Sequence, residues 1–515
     1  MRVQQASSTI IKKMAEIYIL RNRFFTLSAL AFTLSCANAQ TSRLDSLHIF
    51  NDQRIIDVFS QTQNPAVLSN FPLPEHGYAQ AGASMINGDF KRPMDAESMA
   101  QLQMSTGGFK RYKGWSYKSM FSYQKQFDVN TAWSGVMNAY EGNPFIWVDS
   151  SAGDWERDHI SATINVATPV IFNKMNAGFS VDYNIGTGAR STDPKPFYRS
   201  RHIAMQPGIE WQSSAKSSLG MTGKISFIQE ENELGFYSSN NVLLYRLRGF
   251  GTFSKVPFVS GERKRNGTEV KGLLHYRRQY ARHQLSINGY ASQKYESVTE
   301  GVAILQNTGY FTEIHFGGSA DIQKGDAQRG QSLSLGYELI EGYADDVIFR
   351  AESAGYTTHR MTGDISMWNT GADKKRIWQL TFSPSFSLMD ISDLATRTQL
   401  TVTTLGVECQ VNWRKTVSRN AQLQIRPVIG YHKPLQKELG IQNANVITKN
   451  LIEPDFAFFS TSYAQIGSLI MIDIGKPGDK FAHILKVQGE KLLVADYSPF
   501  NGRNRFHIGY TIIFR

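Results

Sequence analysis

The chain has 515 residues with 55 Lys and Arg against 44 Asp and Glu, a formal net charge of +11, and is 41% hydrophobic, 12% aromatic and 19% charged. The charge fraction lies below the roughly 25% of soluble domains, and the plentiful aromatics and glycines rule out a disordered tail. Two cysteines cannot build a disulfide scaffold, and the body has no apolar run long enough for a multi-span helical membrane protein.

The N-terminus predicts an export signal over residues 1–39. Lys12, Lys13, Arg21 and Arg23 precede an apolar run from Phe24 to Leu34, and Ala37-Asn38-Ala39 ends it with small residues, placing cleavage before Gln40. Met14 is an alternative start. Cys36 offers a competing lipoprotein reading, but Leu34 stands one place too late for a good lipobox. With the signal and its net +4 removed (five basic residues, one acidic), the chain carries about +7, spread along its length, so nucleic acid is not an expected partner. Cys409 is then alone. Residues 40–75 form a separate N-terminal segment, with an amphipathic stretch from Leu44 to Phe59 and a turn around Asn64-Pro65-Ala66, since Pro disfavours helix in the residue before it.

From 76 to 515 the chain alternates apolar and polar residues over long segments. In 115–127 the odd positions hold Trp115, Tyr117, Ser119, Phe121, Tyr123, Lys125 and Phe127, and the even ones Ser116, Lys118, Met120, Ser122, Gln124 and Gln126. Segments 159–168, 174–186 and 505–514 behave alike. Period two over such lengths places one face in an apolar medium and the other in a polar one. Soluble sandwiches use strands of about five or six residues, whereas crossing a bilayer takes about 9 to 11 tilted residues. The prediction is all-β: a closed antiparallel transmembrane β-barrel, because an open edge in lipid would orphan its backbone amides. Further strands are expected at 77–88, 99–110, 201–212, 218–229, 242–254, 268–279, 283–294, 296–306, 311–323, 330–343, 355–369, 376–388, 397–413, 420–433, 460–474 and 481–494. This makes about 20, within an accepted range of about 14 to 20 and preferably even. Turns such as Gly325-Asp326 and Lys476-Pro477-Gly478-Asp479 are short, and the longer stretches 128–157, 187–200, 255–267 and 434–459 belong to the external mouth.

Lys118, Lys174, Asp182, Lys224, Glu338 and Arg426 occupy polar strand positions and are the candidate lumen-lining residues, either paired across the lumen or drawing anions. The run Gly261-Glu262-Arg263-Lys264-Arg265-Asn266-Gly267 reads as a charged turn, solvated, touching lipopolysaccharide phosphates or docking an acidic partner. No phosphate-binding glycine loop, zinc motif or nucleophile elbow occurs, so no catalytic, cofactor or metal residues are assigned. Cys409, between Val407 and Val411, reads as a small lipid-facing residue. His275, His283, His315 and His507 are the only leads to a site assembled from separate strands.

Export, strand length and an aromatic closing strand together resemble Gram-negative outer-membrane barrel proteins. On that resemblance Phe506, Tyr510 and Phe514 look like the signal read by the barrel-assembly machinery, with Arg515 departing from the usual aromatic end. Gln63-Asn64-Pro65-Ala66-Val67-Leu68 is similar to the plug-like stretch of the long-chain fatty-acid transporter family. As a whole the chain resembles uncharacterised outer-membrane barrels of about 500 residues from Bacteroidota. Such proteins are often encoded beside TonB-dependent receptors, which implies nutrient or metal uptake. A TonB-dependent receptor itself resembles a 22-stranded barrel around a large plug, and the roughly 36 residues of 40–75 are too few for that plug. The expectation is therefore a non-enzymatic outer-membrane solute channel or an accessory to TonB-dependent uptake. Its expected partners are outer-membrane lipid and lipopolysaccharide, the assembly machinery, and a TonB-dependent receptor or surface lipoprotein. The alternatives are a surface interaction or assembly barrel that binds a lipoprotein or secretion component, and a barrel-embedded hydrolase.

Overall fold

Long alternation leaves each strand two unlike faces, and in lipid a sheet with such faces leaves no unpaired edge only by rolling into a cylinder. The computed structural model describes residues 63–71, 75–235, 243–255, 260–302, 304–326, 328–371, 376–418, 420–475, 479–495 and 498–514. In chain order its strands are β1 (His76–Asn87), β2 (Ser98–Tyr112), β3 (Trp115–Thr131), β4 (Trp147–Asp149), β5 (Gly153–Ala167), β6 (Met175–Arg190) and β7 (Phe197–Ser214). They continue as β8 (Ser217–Gly235), β9 (Leu244–Leu247), β10 (Phe253–Lys255), β11 (Ser260–Gln279), β12 (His283–Gly301), β13 (Gln306–Gly325) and β14 (Arg329–Asp346). The last are β15 (Ala351–Thr370), β16 (Arg376–Asp393), β17 (Thr398–Ser418), β18 (Ala421–Ile441), β19 (Tyr463–Ile474), β20 (Phe481–Val494) and β21 (Gly502–Phe514). All but β4, β9 and β10 belong to one 18-stranded antiparallel sheet in which barrel neighbours follow chain order. β1 pairs with β21, Gly77 opposite Phe514, and this pairing closes the cylinder.

β8 shows the physics. Leu219, Met221, Ile225 and Phe227 stand exposed at odd positions, while Ser218, Thr222, Ser226 and Glu230 are buried at even ones. A soluble protein would not leave such an apolar belt in water. Aromatics bound the belt, with Trp211, Tyr280 and Trp378 toward the end where β1 begins and β21 finishes, and Tyr337 and the stacked Tyr295–Tyr310 pair toward the other end. The chain is a transmembrane β-barrel of the outer-membrane type. A strand of 20 residues, such as β11, rises about 50 Å at barrel tilt, about twice the apolar band, so the strands stand well clear of the lipid.

Two of the expected strands are not separate barrel strands. Residues 242–254 alternate, but they supply β9 and β10, which pair with β4 in a three-stranded sheet of their own. Residues 296–306 are mostly the outer continuation of β12. The stretch 255–267 is also corrected: from Ser260 onward it is strand β11, paired with β8 and β12, and Gly261–Gly267 is no turn. The other three stretches also lose their margins to strands, and the connections that remain, 132–152, 191–196 and 442–462, share one end, opposite that where β1 begins and β21 finishes, as alternation of direction requires; short turns mark the periplasmic end in this architecture. At one such turn Gly325 takes φ +109°, and Asp326 accepts the backbone N–H groups of Gln328 (2.7 Å) and Arg329 (2.9 Å). The expected signal over 1–39, Cys36, the stretch from Leu44 to Phe59 and the turn residues 476–478 lie outside the described residues.

Candidate functional site: a capped lumen

The external loops fold into the barrel mouth. Residues 132–152 carry β4 inward, where it pairs with β9, and β9 with β10. Between β18 and β19 a π-helical turn (Thr448–Ile452) runs into α1 (Glu453–Phe459) and packs on the same layer. Val136, Ile146, Val148, Tyr245, Leu247, Ile447 and Leu451 form its apolar centre. Phe145 packs on Val298, Phe311 and Ala344 of the wall, and Ile452 packs on Leu400 and Val402. These contacts reach widely separated parts of the rim, so the loops make one cap.

Buried ion pairs rivet the cap to the wall. On β11, Arg263 and Arg265 both point inward because they are two residues apart on a strand. Arg265 bridges Glu141 of the cap (2.6 Å) to Glu230 (3.0 Å) and Glu296 (3.6 Å) of the wall. Arg263 donates to the Phe145 carbonyl (2.8 Å) and to Asn232 (2.7 Å). Asn143 donates to Glu296 (2.7 Å) and Trp147 Nε1 to Glu300 (2.8 Å). Arg248 lies 3.6 Å from Glu300 and 3.9 Å from Asp346. Arg190 of β6 holds Asp149 with bonds of 2.9 and 2.8 Å; burial raises the Asp149 carboxyl above its ordinary range, and Arg190 pulls it back. At the other margin Arg92 makes a bidentate pair with Asp455 (2.9 and 2.5 Å), its guanidinium 3.4 Å from the Tyr140 ring centre and 4.8 Å from that of Phe459. Burial raises Asp455, with Arg92 opposing, and raises the Tyr140 hydroxyl strongly. Such groups keep their charge in a dry setting only because each has a partner.

The periplasmic end is narrowed by the segment before β1. Asn64 caps a 3-10 turn over Pro65–Asn70, its Oδ1 accepting the Ala66 N–H (3.0 Å) while its Nδ2 donates to the Ile209 carbonyl of β7 (2.9 Å). Gln206 donates to the Gln63 carbonyl. Asn64, Pro65 and Ala66 are buried against Gly178 and Gly208, where any Cβ would overlap them. Leu68 and Phe71 pack on Phe109 and Ala167.

Between cap and wall lies a cavity of about 990 Å³, roofed by 137–141 and walled mainly by β3, β5, β6 and β7. Of the expected lumen residues, five point inward without converging. Lys118 lies over the Phe71 ring (4.9 Å), and Asp182 accepts from Thr163 (2.7 Å). Glu338 accepts from Tyr290 (2.7 Å) and Arg360 (3.3 Å), while Lys224 and Arg426 lie on the inner faces of β8 and β18. Lys174 does not belong with them: it lies exposed in the turn before β6. Phe506 and Tyr510 stand exposed on the outer face of β21, which Phe514 ends, and Cys409 is likewise exposed on β17. His275 Nε2 is 2.6 Å from Glu210, both deeply buried, and neither ring nitrogen bonds a hydroxyl. His315 pairs with Glu313 (2.8 Å), His283 opens β12, and His507 lies on the inner face of β21. Among the described residues no group of His, Cys, Asp or Glu is arranged to hold a metal ion. The sequence reading missed the riveting set, Arg263, Arg265, Glu230, Glu296 and Glu300. The spacing of the two arginines was its one visible trace.

A family model described as a family of unknown function (DUF6850) matches residues 65–514. The chain belongs to that family. Its matched region begins at Pro65, so the family unit takes in the lumenal turn as well as the barrel and cap. No curated protein matches the chain. Among solved structures it is similar to the RagAB peptide transporter, at 6% identity over 85% of this chain and 86% of that one, with a TM-score of 0.41. It is also similar to BauA, the ferric preacinetobactin receptor from Acinetobacter baumannii (6% identity, 85% and 80% covered, TM-score 0.38). A Pseudomonas aeruginosa FadL homologue is a third (10% identity, 93% and 95% covered, TM-score 0.31).

Proposed function

We propose that this barrel admits a small polar solute across the outer membrane through a lumen gated by its folded-in cap. The observation that carries the reading is the cavity of about 990 Å³ between a polar barrel wall and a cap held by ion pairs. A barrel of 18 strands is wide enough to leave an aqueous interior, and here the loops fold in over that space instead of standing clear of it. Ion pairs suit a gate because water can replace them when the cap lifts, and the apolar cap–wall contacts are confined to small clusters around Phe145 and Ile452. Planar-bilayer recording tests this: the protein should be mostly closed, and removing cap rivets should raise its open probability. If neither the protein nor any cap variant passes ions or small solutes, the barrel is sealed and the reading fails.

A second reading, a docking barrel for a surface partner, draws on a separate observation. The neighbouring external hairpins expose Val302, Ile304, Ile348, Phe349 and Leu394 above the lipid belt. Co-purification from native membranes, with and without Ile348→Ser and Phe349→Ser, separates this reading from autonomous transport.

A further inference from the structure

Building on the gated-conduit reading, we infer that the chamber is built for an uncharged, hydroxyl-rich solute of oligosaccharide size rather than for an ion. The wall facing the cap presents Ser122, Gln124, His159, Ser161, Asn184 and His202, drawn from β3, β5, β6 and β7. These side chains meet in register, Ser122 opposite Ser161, Gln124 opposite His159, and Asn184 opposite both Ser161 and His202. They form one patch of donors and acceptors with no carboxylate or ammonium in it.

Most of the charged groups around the patch are already committed to an opposite charge or a backbone carbonyl, and Glu269 of β11, which also borders the chamber, accepts from Ser226 (3.3 Å). Arg157 is bound to Asp128 (2.7 Å), Arg265 to Glu141 (2.6 Å), Lys294 to Glu313 (2.9 Å) and Arg505 to Glu490 (3.1 Å). Lys91 donates to the Asp95 carbonyl (2.8 Å), and Arg503 to the carbonyls of Phe90 (3.3 Å) and Ala96 (3.5 Å). An anion entering beside Arg157, Arg265, Lys294 or Arg505 would have to displace a built-in carboxylate, and a cation beside Asp128 or Glu141 a built-in arginine. Either would shed its own water without a matching countercharge. A neutral polyol loses nothing of the kind, because it exchanges water's hydrogen bonds for those of amides, hydroxyls and imidazoles one for one. Tyr140, Phe458 and Tyr463 also border the chamber and supply flat apolar surfaces for the C–H faces of a sugar ring. The volume lies at the upper end of the roughly 300–1,000 Å³ usual for small-molecule sites, which suits a few linked rings better than one.

The test uses the full-length protein in lipid vesicles, with the gate loosened by Trp147→Phe or, should that variant fold poorly, by Asn143→Ala, neither of which alters the charge of the chamber. Osmotic swelling is measured with glucose, maltotriose, gluconate and glucosamine, and maltotriose and gluconate binding to the detergent-solubilised native protein by calorimetry. The expected result is that glucose enters about tenfold faster than gluconate or glucosamine, the factor for one poorly compensated charge. Asn184→Asp should slow gluconate further and speed glucosamine. Saturable maltotriose binding that Gln124→Leu and Asn184→Leu weaken would support the inference even if no solute crossed, in which case only the conduit reading falls. Entry of gluconate or glucosamine as fast as glucose would overturn the inference while leaving transport standing. Failure of both flux and maltotriose binding would overturn both.

Discussion

Arg265→Ala is the sharpest test of the cap as a gate. The side chain is 4% exposed and meets three carboxylates, Glu141 on the cap and Glu230 and Glu296 on the wall. Truncating one member of a buried ion pair costs about 3–5 kcal/mol, because the partners are left charged and dry. Here the wall carboxylates keep some company, since Arg263 stands 3.6 Å from Glu230 and Asn143 bonds Glu296 at 2.7 Å. Glu141, 31% exposed, regains water as soon as the cap lifts. The penalty therefore falls mainly on the closed state, and the lower end of the range, about 3 kcal/mol, multiplies the opening equilibrium about 150-fold. Two readouts should move together: open probability in planar bilayers, and labelling of a Ser134→Cys reporter by an impermeant maleimide, since Ser134 is buried beneath the closed cap. Arg265→Lys should fall between, as a compact ammonium lacks the guanidinium's spread of donors across three carboxylates. Heat-modifiable electrophoretic mobility shows whether the barrel itself is intact. An intact Arg265→Ala barrel with unchanged conductance and no maleimide labelling of the Ser134→Cys reporter would refute the gate.

Three further outcomes follow from the same geometry. Gly178→Val drives a side chain into Ala66 and Pro65, so it should expel residues 63–71 from the lumen at a cost of about 1–3 kcal/mol, read as new protease sensitivity in that segment with the barrel intact. Leu274→Arg, on the outer face of β11, should cost about 2–4 kcal/mol in reversible folding into vesicles. Ser334→Arg, on the inner face and in register with Asp321 and Asp364, should cost little; equal costs for the two would mean that the faces are misassigned. Trp147→Phe removes the N–H that Glu300 accepts in a buried site, and should loosen the cap by about 1–3 kcal/mol, seen as faster amide exchange over 132–152.

The barrel was legible because lipid imposes a rule on every strand: one face apolar, the other not, for as long as the segment lasts. That rule predicts alternation but cannot tell which apolar medium is meant. Residues 242–254 alternate as well as a barrel strand does, yet their apolar side meets Val148 and Ile447 of the cap instead of lipid. The excess at 296–306 has a different origin. Strand β12 runs on to Gly301 above the membrane, where the outer face returns to polar residues and the inward Glu296 and Glu300 are bound to the cap. Alternation of apolar with polar ends there, although the strand does not.

The same change of medium hid the site. In Glu262-Arg263-Lys264-Arg265 all four residues are charged, so hydropathy shows no period and the run reads as a solvated turn. On a strand, however, successive side chains leave by opposite faces: Lys264 is partly exposed beside Glu231, while Arg263 and Arg265 are nearly fully buried. What makes burying two arginines tolerable is the arrival of Glu230 from β8, Glu296 from β12 and Glu141 from a loop more than a hundred residues upstream. None of these is local to β11, so no window along the chain contains the compensation. A charged run bounded by glycines between two long alternating segments is thus ambiguous until pairing is known. Once β11 is set between β8 and β12, the arginines have to face either lipid-side water or the lumen, and the carboxylates on the neighbouring inner faces decide for the lumen.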